Sequence, residues 1–431
     1  MRFLLLTPGT GHFYCGSCLR DDALGQALRA LDHDVDIVPL YLPMVLERDD
    51  GRDPAVQMGG INVYLQQKSR AARWLPNVVR RLLDNPTLLR WASRRGSMTE
   101  AKDLGAMTVS ILRGEDGRQR REVEQLIRWL QTQPRPDVVI VSNAMLAGIV
   151  RRLREALQVP VVATLQGEAP FLDGLAPADR EVAWSTLKSR ARDVDAWVAV
   201  SASYGDEMRR RLELPRDRVR VVHNGIAVDD FAESGAPPTQ PTVGYLARMC
   251  RDKGLDTLVD AFVHLKSRAA TATARLRIAG VMLREDEPFV DELRARLRDA
   301  GCLEDVEFLP NLDRSQKLAF LSSLSALSVP ARYGESFGLY LLEAMAAGVP
   351  VVQPRHAAFP ELLAATGGGL LCEPEDSRAL ADGLAELLED PAQAAALGAK
   401  GRDAVRAKFT SRDMAGDVAE LCRELVTARM S

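Results

Sequence analysis

The stretch PARYGESFGLYLLEAMAAGVP, residues 330–350, decides the fold. It starts where the apolar run 326–329 stops, and Pro330 and Gly334 mark a loop. Ser336 or Phe337 is expected to open a helix, which Gly348 and Pro350 close in the order usual at helix ends. Strand, loop and helix make half of a βαβ unit, and a second apolar run at 349–352 completes it. Upstream, apolar runs at 242–246, 276–279 and 306–308 alternate with helical segments, so the whole C-terminal half reads as a parallel α/β domain.

The N-terminal half keeps the same rhythm. Strands are expected at 2–6, 35–40, 138–141, 161–164, 196–200 and 220–222, with helices at 21–31, 144–157 and 203–212. In the first helix Leu24, Ala27, Leu28 and Leu31 recur at helical spacing, and Asp21 and Asp22 are expected in its first turn, where acids suit the dipole. Residues 232–241, rich in Pro, Gly, Ser and Thr, read as a linker. Two domains follow, 1–230 and 231–410, with an interruption at about 49–115 that has a helical run near 74–89. A final helix at 411–429 carries apolar Met414, Val418, Leu421 and Val426.

Composition narrows the function classes. With 431 residues, 46% hydrophobic and 27% charged, the chain is an ordinary globular protein. A formal charge of −3 argues against wholesale nucleic-acid binding. No apolar run reaches the ~20 residues needed to span a bilayer, so a cytoplasmic protein is expected. Residues 68–102 are strongly basic, with Trp74 and Trp91 among them, and could meet the inner membrane face peripherally or an acidic acceptor; a solvated basic face is the plainer alternative. Six cysteines are spread thinly, and Cys15 and Cys18 form a lone CxxC without a second ligand pair, so neither a disulfide framework nor a metal centre is expected.

The chemistry concentrates at the ends of strands. Amides around Phe337, Gly338 and Leu339 are first-turn donors, suited with the helix dipole to hold phosphate. Glu343, ~8 Å further along the helix, suits hydroxyls rather than phosphate. Glu335 and Glu343 could therefore grip two polyols across a diphosphate. Arg248 and Lys253 follow the strand 242–246, where fixed cations would stabilise a departing diphosphate without a divalent ion. Near the N-terminus, residues 6–11 (LTPGTG) form a glycine-containing βα turn.

Glu335 and Glu343 resemble the Glu-x7-Glu signature of retaining GT-B glycosyltransferases, specifically glycosyltransferase family 4. Residues 244–254 (GYLARMCRDKG) are similar to the family's diphosphate clamp; residues 222–226 with Asp229 and Phe231, and residues 369–374, resemble its hinge-side and tail segments. The resemblance implies two Rossmann-like parallel α/β domains facing each other across a cleft that closes on the donor, with the last helix crossing back to the N-terminal domain. It implies transfer of a hexose from a UDP- or GDP-linked donor to a sugar, lipid or small-molecule acceptor, with retention and no metal or other cofactor. Glu335 then binds the donor sugar, and Arg248 and Lys253 the diphosphate. Thr10 and Gly11 would lie opposite the donor phosphates, with His12 and Tyr14 on the acceptor side.

Two positions depart from the family pattern. Gln166 stands where a His is common, and Ala331 where a Ser is common. Gln166 cannot transfer a proton, which leaves His12 or Glu168 for acceptor contact. A nucleotide-sugar epimerase and a non-catalytic nucleotide-sugar-binding protein remain alternatives. Product analysis without acceptor would separate the first, and the intact Arg248, Lys253, Glu335 and Glu343 count against the second.

Overall fold

The computed structural model describes residues 1–9, 16–43, 56–58, 101–231, 238 and 240–430. The chain divides into two compact units, Met1–His223 with Ser411–Ser431, and Asn224–Thr410.

The first unit is built on six parallel strands: β1 (Arg2–Thr7), β2 (Asp34–Pro39), β3 (Val138–Val141), β4 (Val161–Leu165), β5 (Ala196–Ala199) and β6 (Val219–Val221). Their order is β2-β1-β3-β4-β5-β6. Strands β3, β4 and β5 are buried at every residue, which is why they read as unbroken apolar runs rather than alternations. Phe3, Leu5, Leu24, Leu28, Val138 and Val198 share one core with Met414, Val418 and Leu421 of the last helix, Ser411–Met430.

Three features of this unit differ from the sequence expectation. The first helix runs Gly16–Ala30, so Asp21 and Asp22 lie beyond its first turn. Both are buried, and Asp21 pairs with buried Arg20 at 3.3 Å; the pair balances charge in the interior instead of serving the helix dipole. The segment expected as helix 144–157 starts as a 3-10 turn, Ala144–Ile149, and becomes α-helical at Val150–Leu157. Part of the expected interruption belongs to the fold. Helix Ala101–Arg113 packs on helix Pro177–Arg190, with Val109 and Leu112 buried, and buried Arg190 binds Glu115 at 2.7 Å and Asp116 at 2.8 Å. Residues 232–237 and 239 of the linker, the helical run near 74–89 and the basic run up to residue 100 lie outside the described residues.

The second unit holds β7 (Thr242–Leu246), β8 (Arg275–Gly280), β9 (Val306–Pro310), β10 (Ala326–Leu327), β11 (Val351–Pro354) and β12 (Gly369–Cys372). All pairs are parallel, in the order β12-β11-β10-β7-β8-β9. The order reverses between β7 and β10, and in open α/β sheets the crevice beyond the strand ends at such a switch point is where ligands bind. Strand β12, absent from the sequence reading, has only half-buried residues before Cys372 and so lacks a strong apolar signal. The chain enters and leaves this unit at adjacent points, since Ile226 bridges Thr410 and its amide donates to Phe409 O at 3.0 Å.

Candidate active site

The loops after β7 and β10 meet at the switch point of the second sheet, and a strap of hydrogen bonds holds them together. Arg332 N donates to Asp252 O at 3.0 Å, and its guanidinium reaches buried Asp256 at 2.9 Å. Gly254, at φ +68°, allows the approach: a Cβ there would stand 1.9 Å from Pro330 O. The strap sets Lys253 and Glu335 side by side.

Lys253 Nζ donates to Glu335 Oε2 at 2.5 Å. The same oxygen accepts from Tyr340 OH at 3.0 Å and Tyr333 OH at 3.4 Å. The ammonium also sits 4.8 Å from the Tyr333 ring centroid and 5.7 Å from that of Tyr340. Burial alone would lower the Lys253 pKa, but the Glu335 carboxylate and then Tyr333 outweigh it and hold the group above its ordinary range. Lys253 is therefore a charged donor with N–H groups to spare.

Arg248 follows β7 on the other side of the loop. Its Nε and Nη2 fork onto buried Asp286, with Nε to Oδ2 at 2.9 Å and Nη2 to Oδ1 at 3.0 Å, and Nη2 also donates to Glu285. Burial opposes its charge, but Asp286 prevails and the guanidinium is held well above its usual value. Nη1 donates to no described residue, which leaves one edge of the fork for an anion.

The helix expected from Ser336 or Phe337 begins at Leu339 and ends at Ala346. The delay has a local cause: Gly338 takes φ +93°, a left-handed conformation that cannot join the first turn. Phe337 is buried at the turn's base, while the Leu339 and Tyr340 amides lie in the first turn, whose first backbone bond is Leu341 N to Gly338 O at 2.9 Å. Glu343 is half-buried on this helix and takes Lys317 Nζ at 2.6 Å, so it is no ordinary exposed helix acid.

In the first unit Gln166 and Glu168 turn inward. Glu168 is buried and accepts from the Ala144, Gln166 and Gly167 amides at 2.9, 3.0 and 3.1 Å and from Tyr204 OH at 3.0 Å. The Gln166 carboxamide donates to Ser142 O and, at 3.3 Å, to Asp21. Both side chains brace the loop after β4. Thr10, Gly11, His12, Tyr14 and Cys15 lie outside the described residues. Among the described residues Cys250, Cys302, Cys372 and Cys422 are free thiols, and no three His, Cys, Asp or Glu side chains cluster as metal ligands.

Sequence reasoning missed Tyr333, Tyr340, Lys317 and Asp286. Both tyrosines stand inside the stretch 330–350, and their nearness to Glu335 in the chain was a usable signal. Asp286 and Lys317 come from the segments after β8 and β9, and only the strand order brings them to Arg248 and Glu343.

Two family models match adjoining stretches of the chain. Glycosyltransferase Family 4 matches residues 94–230 and Glycosyl transferases group 1 matches residues 228–404. The chain belongs to these glycosyltransferases. Its curated relatives include glycogen synthase of Mycobacterium tuberculosis, 28% identical over 275 residues, 60% of this chain and 62% of that protein. Phosphatidyl-myo-inositol mannosyltransferase of Mycobacterium leprae is 35% identical over 190 residues, 43% of this chain and 48% of that one. The chain thus spans about half to three fifths of the length of these relatives. Among solved structures, sucrose-phosphate synthase of Thermosynechococcus elongatus has a TM-score of 0.71 at 20% identity, covering 99% of this chain and 100% of that one. HepE of Anabaena in complex with UDP and glucose has a TM-score of 0.67 at 16% identity, covering 98% and 100%. These likenesses establish the fold, GT-B, with two Rossmann-like parallel α/β domains. No helix among the described residues is long and apolar enough to cross a membrane.

Proposed function

We propose that the protein is a retaining, metal-independent hexosyltransferase that uses a UDP- or GDP-linked donor and a sugar, lipid or small-molecule acceptor. The observation that carries this reading is the Lys253–Glu335 pair at the switch point of the second sheet, beside the half-occupied fork of Arg248. One cation, one acid and a second cation in reach of a strand-end crevice suit a ligand with a diphosphate joined to a polyol. The donor class is supported by relatives: HepE was solved with UDP-glucose, and a Mycobacterium tuberculosis relative is a GDP-mannose-dependent mannosyltransferase.

In the reaction the bond from the anomeric carbon to the diphosphate oxygen breaks, and the negative charge on the leaving group grows. Lys253 and the free edge of Arg248 stabilise that charge more in the transition state than before it, the part a divalent ion would otherwise play. Glu335 accepts a hydrogen bond from a hydroxyl of the hexose, and Glu343 from hydroxyls of the nucleoside ribose. The acceptor oxygen attacks the face the diphosphate leaves, and its proton passes to the departing phosphate oxygen, so configuration is retained.

A thermal-shift panel of nucleotides and nucleotide sugars tests the donor, because a ligand specific to the folded state raises its stability. Proton NMR of the product formed with the stabilising donor then reads the anomeric configuration. An inverted product overturns retention, and activity lost in EDTA but restored by magnesium overturns metal independence.

A further inference from the structure

The Glu335 carboxylate is held from one side. Lys253 Nζ, Tyr340 OH and Tyr333 OH all donate to Oε2, and no described residue donates to Oε1. The last torsion of a glutamate is broad and two-fold, so an untethered carboxylate would present either oxygen at a range of angles. Three donors on one oxygen remove that freedom.

The three donors differ in permanence. Lys253 is also the group a diphosphate would recruit, and an ammonium turned toward phosphate pulls less on Glu335. Tyr333 is in the loop and makes the longest contact, at 3.4 Å. Tyr340 stands in the first turn of helix Leu339–Ala346, is 9% exposed, and donates its hydroxyl to Glu335 alone among the described residues. We propose that Tyr340 is a positioning residue that keeps Glu335 anchored by Oε2 when donor occupies the site, leaving Oε1 to accept a hydroxyl of the transferred hexose. The proposal rests on the reading of Glu335 as the donor-sugar residue. Burial, and after it the Glu335 charge, push the Tyr340 phenol well above its ordinary 10, so it stays a protonated donor at any working pH.

The test compares a nucleoside diphosphate with its sugar nucleotide, because only the second carries the hydroxyl that Glu335 would accept. Calorimetric affinities are measured for UDP and UDP-glucose and for GDP and GDP-mannose, and the pair that binds wild type is carried forward. Tyr340→Phe removes the hydroxyl and keeps the ring. The expected result is about tenfold weaker binding of the sugar nucleotide with the nucleoside diphosphate unchanged within about twofold, and no further loss when Tyr340→Phe is added to Glu335→Gln. Melting temperatures are recorded beside the affinities, and unchanged affinity for the nucleoside diphosphate shows that the Phe variant keeps its fold at the assay temperature. Equal weakening of both ligands, no weakening, or an undiminished loss in the Glu335→Gln background overturns the proposal. If wild type binds neither pair, it is the donor assignment under the proposed function that falls.

Discussion

Lys253 is a buried-side cation whose partners are a carboxylate and two aromatic faces, and its value to the protein changes with pH and with ligand. Its pKa is raised above the ordinary 10.5, so the stability it contributes is full below that value and is lost as pH climbs through the raised one. Urea unfolding should therefore show Lys253→Met less stable than wild type at about pH 8, with the gap narrowing at about pH 11. In catalysis, Lys253→Ala and Arg248→Ala should each lower kcat by about 10²-fold at a temperature where both variants remain folded, as expected for groups that meet charge formed in the transition state. Steady-state rates with the identified donor check this, and unchanged rates in both variants would remove the diphosphate clamp. At this scale the sequence was readable where chemistry coincides with a strand end: Arg248, Lys253 and Glu335 each follow an apolar run. It was not readable where the partner is remote, because nothing local to Asp286 tells that its carboxylate will grip a guanidinium 38 positions earlier.

Two loops and one helix start build the site, and two of these three depend on a glycine at positive φ, Gly254 in the loop after β7 and Gly338 at the helix start. Gly254→Ala would place a methyl against Pro330 O while straining a left-handed φ, and should cost about 2 kcal/mol or more. Because the displaced loops carry Lys253 and Glu335, calorimetry on this variant should also show weakened binding of the donor; a fully stable variant that binds normally would mean the strap is dispensable. The elements themselves were largely legible. Strands β3 and β7 coincide with the apolar runs 138–141 and 242–246, since parallel strands covered on both faces leave continuous hydrophobic stretches. Helix starts were less so. The Gly338 turn delays one helix and an early N-terminus at Gly16 lengthens another, because capping is decided by backbone angles that residue type only biases.

The first unit is assembled from both ends of the chain. Met414, Ala415, Val418, Ala419 and Cys422 of the last helix sit in the same core as Phe3, Leu24 and Leu28 of the first strand and helix. Removing 411–431 would uncover side chains worth about 1.5–3 kcal/mol each, comparable in sum with the whole stability of a domain. The truncated protein should lose the thermal transition of the first unit and keep that of Asn224–Thr410; two intact transitions would show that the helix is dispensable. Cys422 offers a direct reporter, since it is fully buried and its thiol is pushed up to about 12 by burial. Alkylation at about pH 8 should miss Cys422 in the native protein and reach it only as the first unit opens. A discontinuous unit of this kind also ties folding to the order of synthesis. The ribosome delivers β1 well before the helix that seals it, so the core of the first unit must wait, unsealed, while the entire second unit emerges and can fold on its own. A message cut short within the codons for Ser411–Met430 would then yield a chain with one sound unit and one open unit, marked for degradation by the core it could not close.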